Sequence, residues 1–352
     1  ETADQPHTPD ADWISTHWQR ARALPRKGDR DTLLILDEVQ KIPRWSDAVK
    51  ALVDEDRRAR ARLRVVLLGS SALLVQRGLT ESLAGRFELH RHMQWSFREC
   101  RDCFGLTLEE FLVFGGYPGG LALRKDLERW SRFIRDSLIE SVIGKDVLLM
   151  SPVQKPALLR QAFGMACAHP AEVLSYQKML GQLSEAGNTV TIAHYLHLLS
   201  AAYLLTPLQR WSGSRIRQRG SIPKIVLRDN SLVTALIPGA MTRGRMSPAW
   251  RGRLVENAVG AALVAMAERE GGEVFYWRDR QDEVDYVLRR GEALVGIEVK
   301  SGAGRGMPGG LQVLRRRYPQ AQAVVIGGDA IPAGVRHISL EDFFIGRSIP
   351  AL

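Results

Sequence analysis

Residues 32–40 read TLLILDEVQ, and this stretch decides how the first part of the chain is interpreted. Five mostly branched aliphatic residues run into two adjacent carboxylates, Asp37 and Glu38. An unbroken apolar run of this length is typical of a buried parallel strand. Residues 64–71, RVVLLGSS, repeat the pattern, and the helical stretch 45–62 between them completes a βαβ unit. Because ligands of open α/β sheets bind at the carboxyl ends of the strands, we expect Asp37 and Glu38 to face a crevice.

Three segments around this unit, LDEVQKIPRW, LLGSSALL and GLTESLAGRFE, resemble the Walker B, sensor 1 and downstream arginine segments of a bacterial and archaeal AAA+-like ATPase family. The resemblance implies that Asp37 helps to hold Mg²⁺ and that Glu38 orients the attacking water in ATP hydrolysis. It also implies that Ser70 or Ser71 senses the γ-phosphate and that Arg86 is an arginine finger, which could act across the subunits of a homo-oligomer. Phosphoryl transfer needs a metal ion, an aligned nucleophile and positive charge at the γ-phosphoryl group.

The sequence contains no G-x-x-x-x-G-K-[ST] motif, the loop that holds nucleotide phosphates in this class of ATPase. Residues 1–30 contain a single glycine, Gly28, and the pair Gly144 and Lys145 is followed by Asp146. Without the backbone amides and the lysine of such a loop, nucleotide phosphates lose most of their binding determinants. The chain is therefore interpreted as part of a longer ATPase or as a degenerate form. In either case we expect no appreciable ATP hydrolysis from the chain as it stands.

The overall composition favours a cytoplasmic protein with a basic surface. Lys and Arg total 49 against 39 Asp and Glu, and the resulting net charge of +10 makes DNA the first partner to consider. An arginine-rich genome would give a basic surface without any such purpose. Three cysteines are too few for a disulfide framework, which favours a reducing compartment. No apolar run approaches the length of a membrane span, so we expect no membrane association.

Residues 170–227 follow the order of a winged helix, which is two helices and then a hairpin. The elements are predicted at 174–183, at 189–202 with Thr189 as its cap, at 203–209 and at 224–227. We expect the arginines of the wing to contact DNA phosphates, and they are Arg210, Arg215, Arg217 and Arg219. The second helix has no Arg, Lys, Asn or Gln to pair with base edges, which argues against a sequence-specific transcriptional regulator. Docking of a protein on the same fold is an open alternative.

The part that follows the Pro/Gly/Arg-rich stretch 238–252 carries a complete set of groups for metal-dependent chemistry. Glu256 lies in a predicted helix, Asp285 in a predicted strand, and Glu298 and Lys300 in the strand LVGIEVK. Two residues apart on a strand, Glu298 and Lys300 point to the same face. Asp285 and Glu298 are expected to meet across adjacent antiparallel strands.

This order of a helix glutamate, an aspartate, E-x-K and a following helix at 311–318 resembles the PD-(D/E)xK nuclease fold. The resemblance implies that Asp285 and Glu298 are Mg²⁺ ligands and that Glu256 is an outer or second ligand. It implies that Lys300 positions the attacking water. In such a site carboxylates hold Mg²⁺ against a scissile phosphate, and the lysine offsets the charge that grows in the transition state.

The sequence as a whole predicts an α/β multidomain protein. The predicted parts are a truncated P-loop AAA+-like core at 1–103, a helical connector at 104–168, a winged helix at 169–237 and a PD-(D/E)xK restriction-endonuclease-like domain at 250–352. The leading hypothesis is an ATP-binding AAA+-family protein fused to a DNA-directed, metal-dependent nuclease-like domain. The alternative is a non-catalytic scaffold or DNA-binding protein in which both sites are vestigial.

Overall fold

The structure is a computed structural model of the whole chain, and it divides into two compact units, Glu1–His90 and Arg91–Leu352. The residues that it describes are 1–25, 31–69, 83–148, 153–183, 187–213, 218, 220–237, 247–302, 309–328, 334–346 and 349. The three later predicted domains all fall in the second unit, and their separation from one another stays a prediction.

The first unit contains the βαβ arrangement that the sequence predicts. Its elements are α1 (Ala11–Ala23), β1 (Thr32–Leu36), the short 3₁₀ helix Val39–Lys41, α2 (Trp45–Ala59) and β2 (Leu63–Leu67). The two strands are parallel, with Thr32 opposite Leu63 and Leu36 opposite Leu67. The prediction of two parallel strands joined by a helix is confirmed.

Strand β1 is buried on one face and exposed on the other within the described residues. Leu34 and Leu36 pack in one cluster with Ile14 and Trp18 of α1 and with residues of α2. Leu33 and Ile35, which alternate with them, are 56% and 42% exposed. The expectation of a fully buried strand is therefore wrong for the part that the structure describes, because α1 and α2 cover the same face.

The second unit mixes short helices with two sheets. Its helices are α3 (Phe97–Phe104), α4 (Leu108–Phe114), α5 (Pro118–Leu121), α6 (Leu127–Arg132), α7 (Pro156–Ala168), α8 (Tyr176–Leu180), α9 (Thr189–Ala201), α10 (Asn230–Thr234), α11 (Pro248–Glu270), α12 (Gly309–Arg317) and α13 (Leu340–Phe344). Two π-helical segments, Phe133–Ile139 and Val142–Val147, follow α6. Its strands are β3 (Glu172–Val173), β4 (Leu205–Leu208), β5 (Lys224–Leu227), β6 (Glu273–Asp279), β7 (Asp282–Arg290), β8 (Ala293–Lys300), β9 (Gln322–Gly327) and β10 (Arg336–Ile338).

The smaller sheet has the order β3-β5-β4, with antiparallel neighbours. In chain order, helices α8 and α9 lie between β3 and β4, close to their predicted positions, while the assignment of this group as a winged helix stays a prediction. The predicted cap of α9 is wrong. Asn188 rather than Thr189 has the extended backbone of a cap, and its Oδ1 accepts a hydrogen bond from the Thr191 N–H at 2.8 Å.

The larger sheet has the order β10-β9-β8-β7-β6 and is mixed. Strands β6, β7 and β8 are antiparallel neighbours, and β8, β9 and β10 run parallel to one another. Helix α11 packs its apolar side chains against the sheet in one cluster, and α12 packs in a separate cluster with other residues of β7 and β8. The predicted antiparallel pairing of the strands that carry Asp285 and Glu298 is confirmed.

A buried asparagine joins the smaller sheet to α11, which packs on the larger sheet. Asn257 of α11 accepts a hydrogen bond from the Leu227 N–H at 2.8 Å and donates to the Leu227 carbonyl at 3.0 Å. It also donates to Asn230 Oδ1 at 2.9 Å. These bonds hold β5 and α10 against α11, so the first residue of β5 is brought close to the larger sheet.

Within the described ranges, none of the helices has both the length and the apolar composition that crossing a bilayer requires.

Candidate functional site

The candidate site lies where β7 and β8 separate. Their pairing runs from Arg290 and Ala293 to Tyr286 and Ile297 and then stops. Beyond that point β7 continues beside β6, and β8 continues beside β9. Asp285 is the next residue of β7 at this fork, as Glu298 is of β8.

The carboxylate of Asp285 bridges the opening of the fork. Its Oδ2 accepts a hydrogen bond from the Val299 N–H at 2.8 Å, and its Oδ1 lies 3.8 Å from Lys224 Nζ. A backbone donor that would otherwise lack a strand partner is thereby satisfied. The aspartate is held in place by the same change in strand pairing that creates the opening.

Glu298 and Lys300 lie together on β8, as predicted from their spacing. Lys300 Nζ donates to Glu298 Oε1 at 2.7 Å. The other oxygen, Glu298 Oε2, is buried, and it has no hydrogen-bond partner in the described part of the chain. A buried carboxylate oxygen without a partner is costly, and a bound cation would satisfy it.

Lys224 is a member of the site that the sequence reasoning missed. It opens β5, its side chain is wholly buried, and its Nζ donates to Glu256 Oε1 at 2.6 Å. The same Nζ donates to the backbone carbonyl of Asp285 at 3.1 Å and lies 3.8 Å from Asp285 Oδ1. The only signal in the sequence was a lysine at the start of KIVL, a short strand that is otherwise aliphatic.

The charges of the site shift the pKa values of its members. Burial, followed by the nearby charge of Asp285, raises the pKa of Glu298 to about 7 against the opposing effect of Lys300. Burial likewise raises the pKa of Glu256, although Lys224 opposes it. For Lys224 burial acts to lower the pKa, but the surrounding carboxylates outweigh it and the net shift is upward. The charged ammonium form of Lys224 is therefore favoured by its surroundings.

An open pocket of about 530 Å³ lies beside this cluster. Its lining comes from the start of α11 and the end of β8, and it includes Arg253, Glu256 and Lys300. Arg251 fixes the two elements to each other, because its Nη1 donates to the Ser301 carbonyl at 2.6 Å. Two cationic side chains thus line the pocket, Arg253, which is paired with Glu172, and Lys300, which is paired with Glu298.

The acidic residues suit a hard divalent cation, but they do not form a closed cage. Among the described residues, no three His, Cys, Asp or Glu side chains are grouped so that they could hold a metal ion. Glu256, expected as an outer or second ligand, has its Oε1 engaged by Lys224. Of the three predicted ligands, Asp285 and Glu298 are left for an ion, and Mg²⁺ is commonly bound by one or two carboxylates with water and substrate phosphate. The donor set therefore fits Mg²⁺.

In the first unit, Asp37 and Glu38 follow β1 directly, as predicted. Asp37 Oδ1 accepts a hydrogen bond from the Glu38 N–H at 2.9 Å, and Glu38 has a left-handed backbone with φ of 56°. Glu38 Oε2 accepts from Gln40 Nε2 at 3.0 Å and lies 3.5 Å from Lys41 Nζ. A non-glycine residue in this conformation is uncommon and occurs often at functional turns.

Arg86 forms a two-point ion pair with Asp54 of α2. Its Nε lies 2.9 Å from Asp54 Oδ1, and its Nη2 lies 3.1 Å from Asp54 Oδ2. The hydrogen bonds of this pair lower the pKa of Asp54 and raise that of Arg86. To act as an arginine finger, Arg86 would first have to leave Asp54.

Several predicted site residues lie outside the described residues, namely Ser70, Ser71, Arg215, Arg217 and Arg219. Of the predicted wing arginines, Arg210 is described, and its backbone N–H donates to Ser221 Oγ at 2.9 Å. The exposed side of α9 presents Val190, His194 and His197. This side offers an apolar residue and imidazoles, and its DNA-binding role stays a prediction.

Three family models match separate parts of the chain. Residues 5–101 match an AAA domain. Residues 106–242 and 251–340 match two domains of unknown function, DUF8612 and DUF4143. Over residues 5–101 the chain is therefore similar to AAA domains of the ATPase kind. A search of curated proteins finds no significant match.

Solved structures with some similarity include the Walker-type ATPase PABY2304 of Pyrococcus abyssi, which is 13% identical over 58% of this chain and 63% of that one, with a TM-score of 0.36. Protein VC1899 from Vibrio cholerae is 13% identical over 91% and 90% of the two chains, with a TM-score of 0.20. A Type III CRISPR defence DNA nuclease activated by cyclic oligoadenylate is 14% identical over 96% of this chain and 64% of that one, with a TM-score of 0.20.

Proposed function

We propose that this chain is an AAA-type protein whose second unit carries a Mg²⁺-dependent site for cleaving DNA phosphodiester bonds, working in the cytoplasm. The observation that carries the proposal is the fork of β7 and β8, which brings Asp285, Glu298 and Lys300 together. The buried Glu298 Oε2, which lacks a partner among the described residues, supports a cation at this place. The likeness of the E-x-K order to PD-(D/E)xK nucleases supports the reaction class.

Each residue has a separate role in this proposal. Asp285 and Glu298 would hold the divalent cation, which when bound would polarise the phosphodiester and activate water. Lys300, at 2.7 Å from Glu298, would orient the attacking water and offset the charge that develops on the phosphate oxygens. The Val299 N–H keeps Asp285 in its position, so that the site does not have to reorganise when substrate binds.

DNA is the proposed substrate because the chain is basic and its candidate pocket presents cations. The net charge of +10 favours a polyanion, and Arg253 and Lys300 line the pocket. We further propose that the region 169–237 contacts DNA as a winged helix, through Arg210 and the neighbouring arginines 215, 217 and 219. These contacts would be to phosphates, since the exposed side of α9 has no base-reading side chain.

The test is the relaxation of supercoiled plasmid in the presence of Mg²⁺ or Mn²⁺. We expect nicking by the wild-type chain, loss of nicking on addition of EDTA, and a fall of at least about 100-fold in Glu298→Gln and Lys300→Met, in line with the loss of charge stabilisation at a phosphoryl group. Glu292→Gln and Lys125→Met, at exposed positions outside the region 169–237, are the matched controls and should keep wild-type rates. Nicking that persists in both site variants would show that a contaminant cuts the plasmid. The remaining hypothesis would then be a non-catalytic scaffold.

We also propose that the first unit binds a nucleotide when phosphate-binding groups are supplied, in a homo-oligomer in which Arg86 of one copy serves another. The match to an AAA domain and the placement of Asp37 and Glu38 after β1 favour this second function. The expected result is no ATP turnover by the chain as it stands. Turnover that Glu38→Gln abolishes would contradict the expectation.

A further inference from the structure

We propose that Lys224 is a built-in cation of the acidic site, which takes the place of a second divalent ion and restricts the site to a single ion at Asp285 and Glu298. The inference rests on the proposed function, because it concerns the same carboxylates. It assigns a positioning role to a residue that lies outside the E-x-K strand and outside the region 251–340.

The ammonium of Lys224 is surrounded by three carboxylates. Its Nζ lies 2.6 Å from Glu256 Oε1, 3.8 Å from Asp285 Oδ1 and 3.9 Å from Glu283 Oε1. It also donates to the Asp285 carbonyl, and it lies 4.8 Å from the centre of the Tyr286 ring. Carboxylate and carbonyl oxygens around one positive charge are the surroundings that a divalent ion of a two-ion site would have.

The position of Lys224 is fixed by the fold. Its side chain is wholly buried, and it begins β5, which Asn257 holds against α11. A buried ammonium persists only where acceptors compensate for lost hydration, and here Glu256 and the Asp285 carbonyl provide them. Lys224 therefore cannot withdraw to water to make room for an ion without disturbing β5.

The acidic groups of the site differ in whether their oxygens already have a hydrogen-bond partner. On the Lys224 side, Glu256 Oε1 is already bonded to the ammonium. On the other side, Glu298 Oε2 is buried and lacks a partner among the described residues. This single oxygen without a partner, on a carboxylate that interacts with Asp285, matches one divalent ion, and a second ion would have to approach the ammonium and be repelled by it.

The test is a calorimetric titration of the full chain with Mn²⁺. It compares the stoichiometry and the dissociation constant of wild type with those of Lys224→Met. Methionine keeps the length and the apolar stem of lysine and removes the charge. We expect one Mn²⁺ per wild-type chain, and in the variant either a second Mn²⁺ or a dissociation constant that is about tenfold lower, as expected when a nearby like charge is removed. Lys178→Met, at an exposed position, is the matched control and should bind as wild type.

A folded Lys224→Met variant with the stoichiometry and dissociation constant of wild type would overturn the inference, because a purely structural lysine would leave both values unchanged. If the variant is unfolded in EDTA, millimolar Mn²⁺ should restore its circular dichroism spectrum, since an ion would replace the missing charge. Failure of Mn²⁺ to restore it would also overturn the inference.

The outcomes separate this inference from the proposed function. Wild type that binds no Mn²⁺, together with a Lys224→Met variant that binds one ion, would refute the proposed metal site and the single-ion part of this inference, and would support only the role of Lys224 as a cation substitute. If neither protein binds Mn²⁺, both proposals fail. If Asp285→Asn removes the single wild-type ion and Lys224→Met adds a second, both are supported.

Discussion

Replacement of Glu298 by glutamine should stabilise the second unit at alkaline pH when no metal is present. The wild-type carboxylate is buried beside Asp285, and one of its oxygens has no partner in the described part of the chain. Glutamine has nearly the same shape but cannot ionise. The variant thus removes the cost of burying the negative charge and leaves the packing of β8 almost unchanged.

The size of the effect follows from the pKa of Glu298. It is about 7 in the folded chain, against an ordinary value of 4.5. Because the folded-state pKa is raised, the protonated carboxyl stabilises the fold below about pH 4.5, and this contribution is lost as the pH rises through about 7. A tenfold change in a protonation equilibrium corresponds to about 1.4 kcal/mol, so the free energy of unfolding falls by about 3 kcal/mol across this pH range.

The assay is urea unfolding between pH 4.5 and pH 8.5 in EDTA, with circular dichroism as the readout. Glu298→Gln should match wild type at the acidic end and exceed it by up to about 3 kcal/mol at the alkaline end. Addition of Mg²⁺ at alkaline pH should stabilise wild type and not the variant. Glu292→Gln is the control, since Glu292 is exposed in the turn between β7 and β8. A difference between Glu298→Gln and wild type that does not vary with pH would refute the reasoning.

Two further predictions concern the packing that supports the site. Asn257→Leu should lower the free energy of unfolding by about 3 kcal/mol, because the Leu227 N–H and Asn230 lose buried hydrogen-bond partners. Urea unfolding of this variant, measured alongside Asn257→Asp, would test the prediction. Gly310→Ala should lower the free energy of unfolding by at least about 2 kcal/mol, because a Cβ would lie 1.9 Å from the Glu283 carbonyl oxygen. An unchanged melting temperature would contradict this prediction.

Much of the local structure was predictable because it depends on short sequence patterns. The aliphatic run before Asp37 predicts β1, and the spacing of Glu298 and Lys300 predicts that the two side chains meet on one face of β8. Capping was harder, since Asn188 and Thr189 are both good cap residues and are adjacent in sequence. Backbone conformation decided between them, and composition does not encode it.

The role of Lys224 was not predictable from pattern, because its partners lie far along the chain. Glu256 is 32 residues away and the Asp285 carbonyl 61 residues away. No local spacing rule connects such positions, and the contact depends on how β5 docks on α11. The exposure of the Leu33 and Ile35 side chains was not predicted for a related reason. An apolar run indicates that a strand can be buried, but it does not specify which elements cover each face.

The family matches end at residue 242 and begin again at residue 251, yet the acidic site draws on both sides of that gap. A fragment excised from residue 251 onward would keep Glu256, Asp285 and Glu298 and lose the ammonium between them. Its carboxylates would repel one another, and the polar side of Asn257 would face solvent in place of β5. The segment from residue 251 onward is therefore not a self-sufficient module, and any recombination that moved it to another protein would have to carry the strand beginning at Lys224 as well.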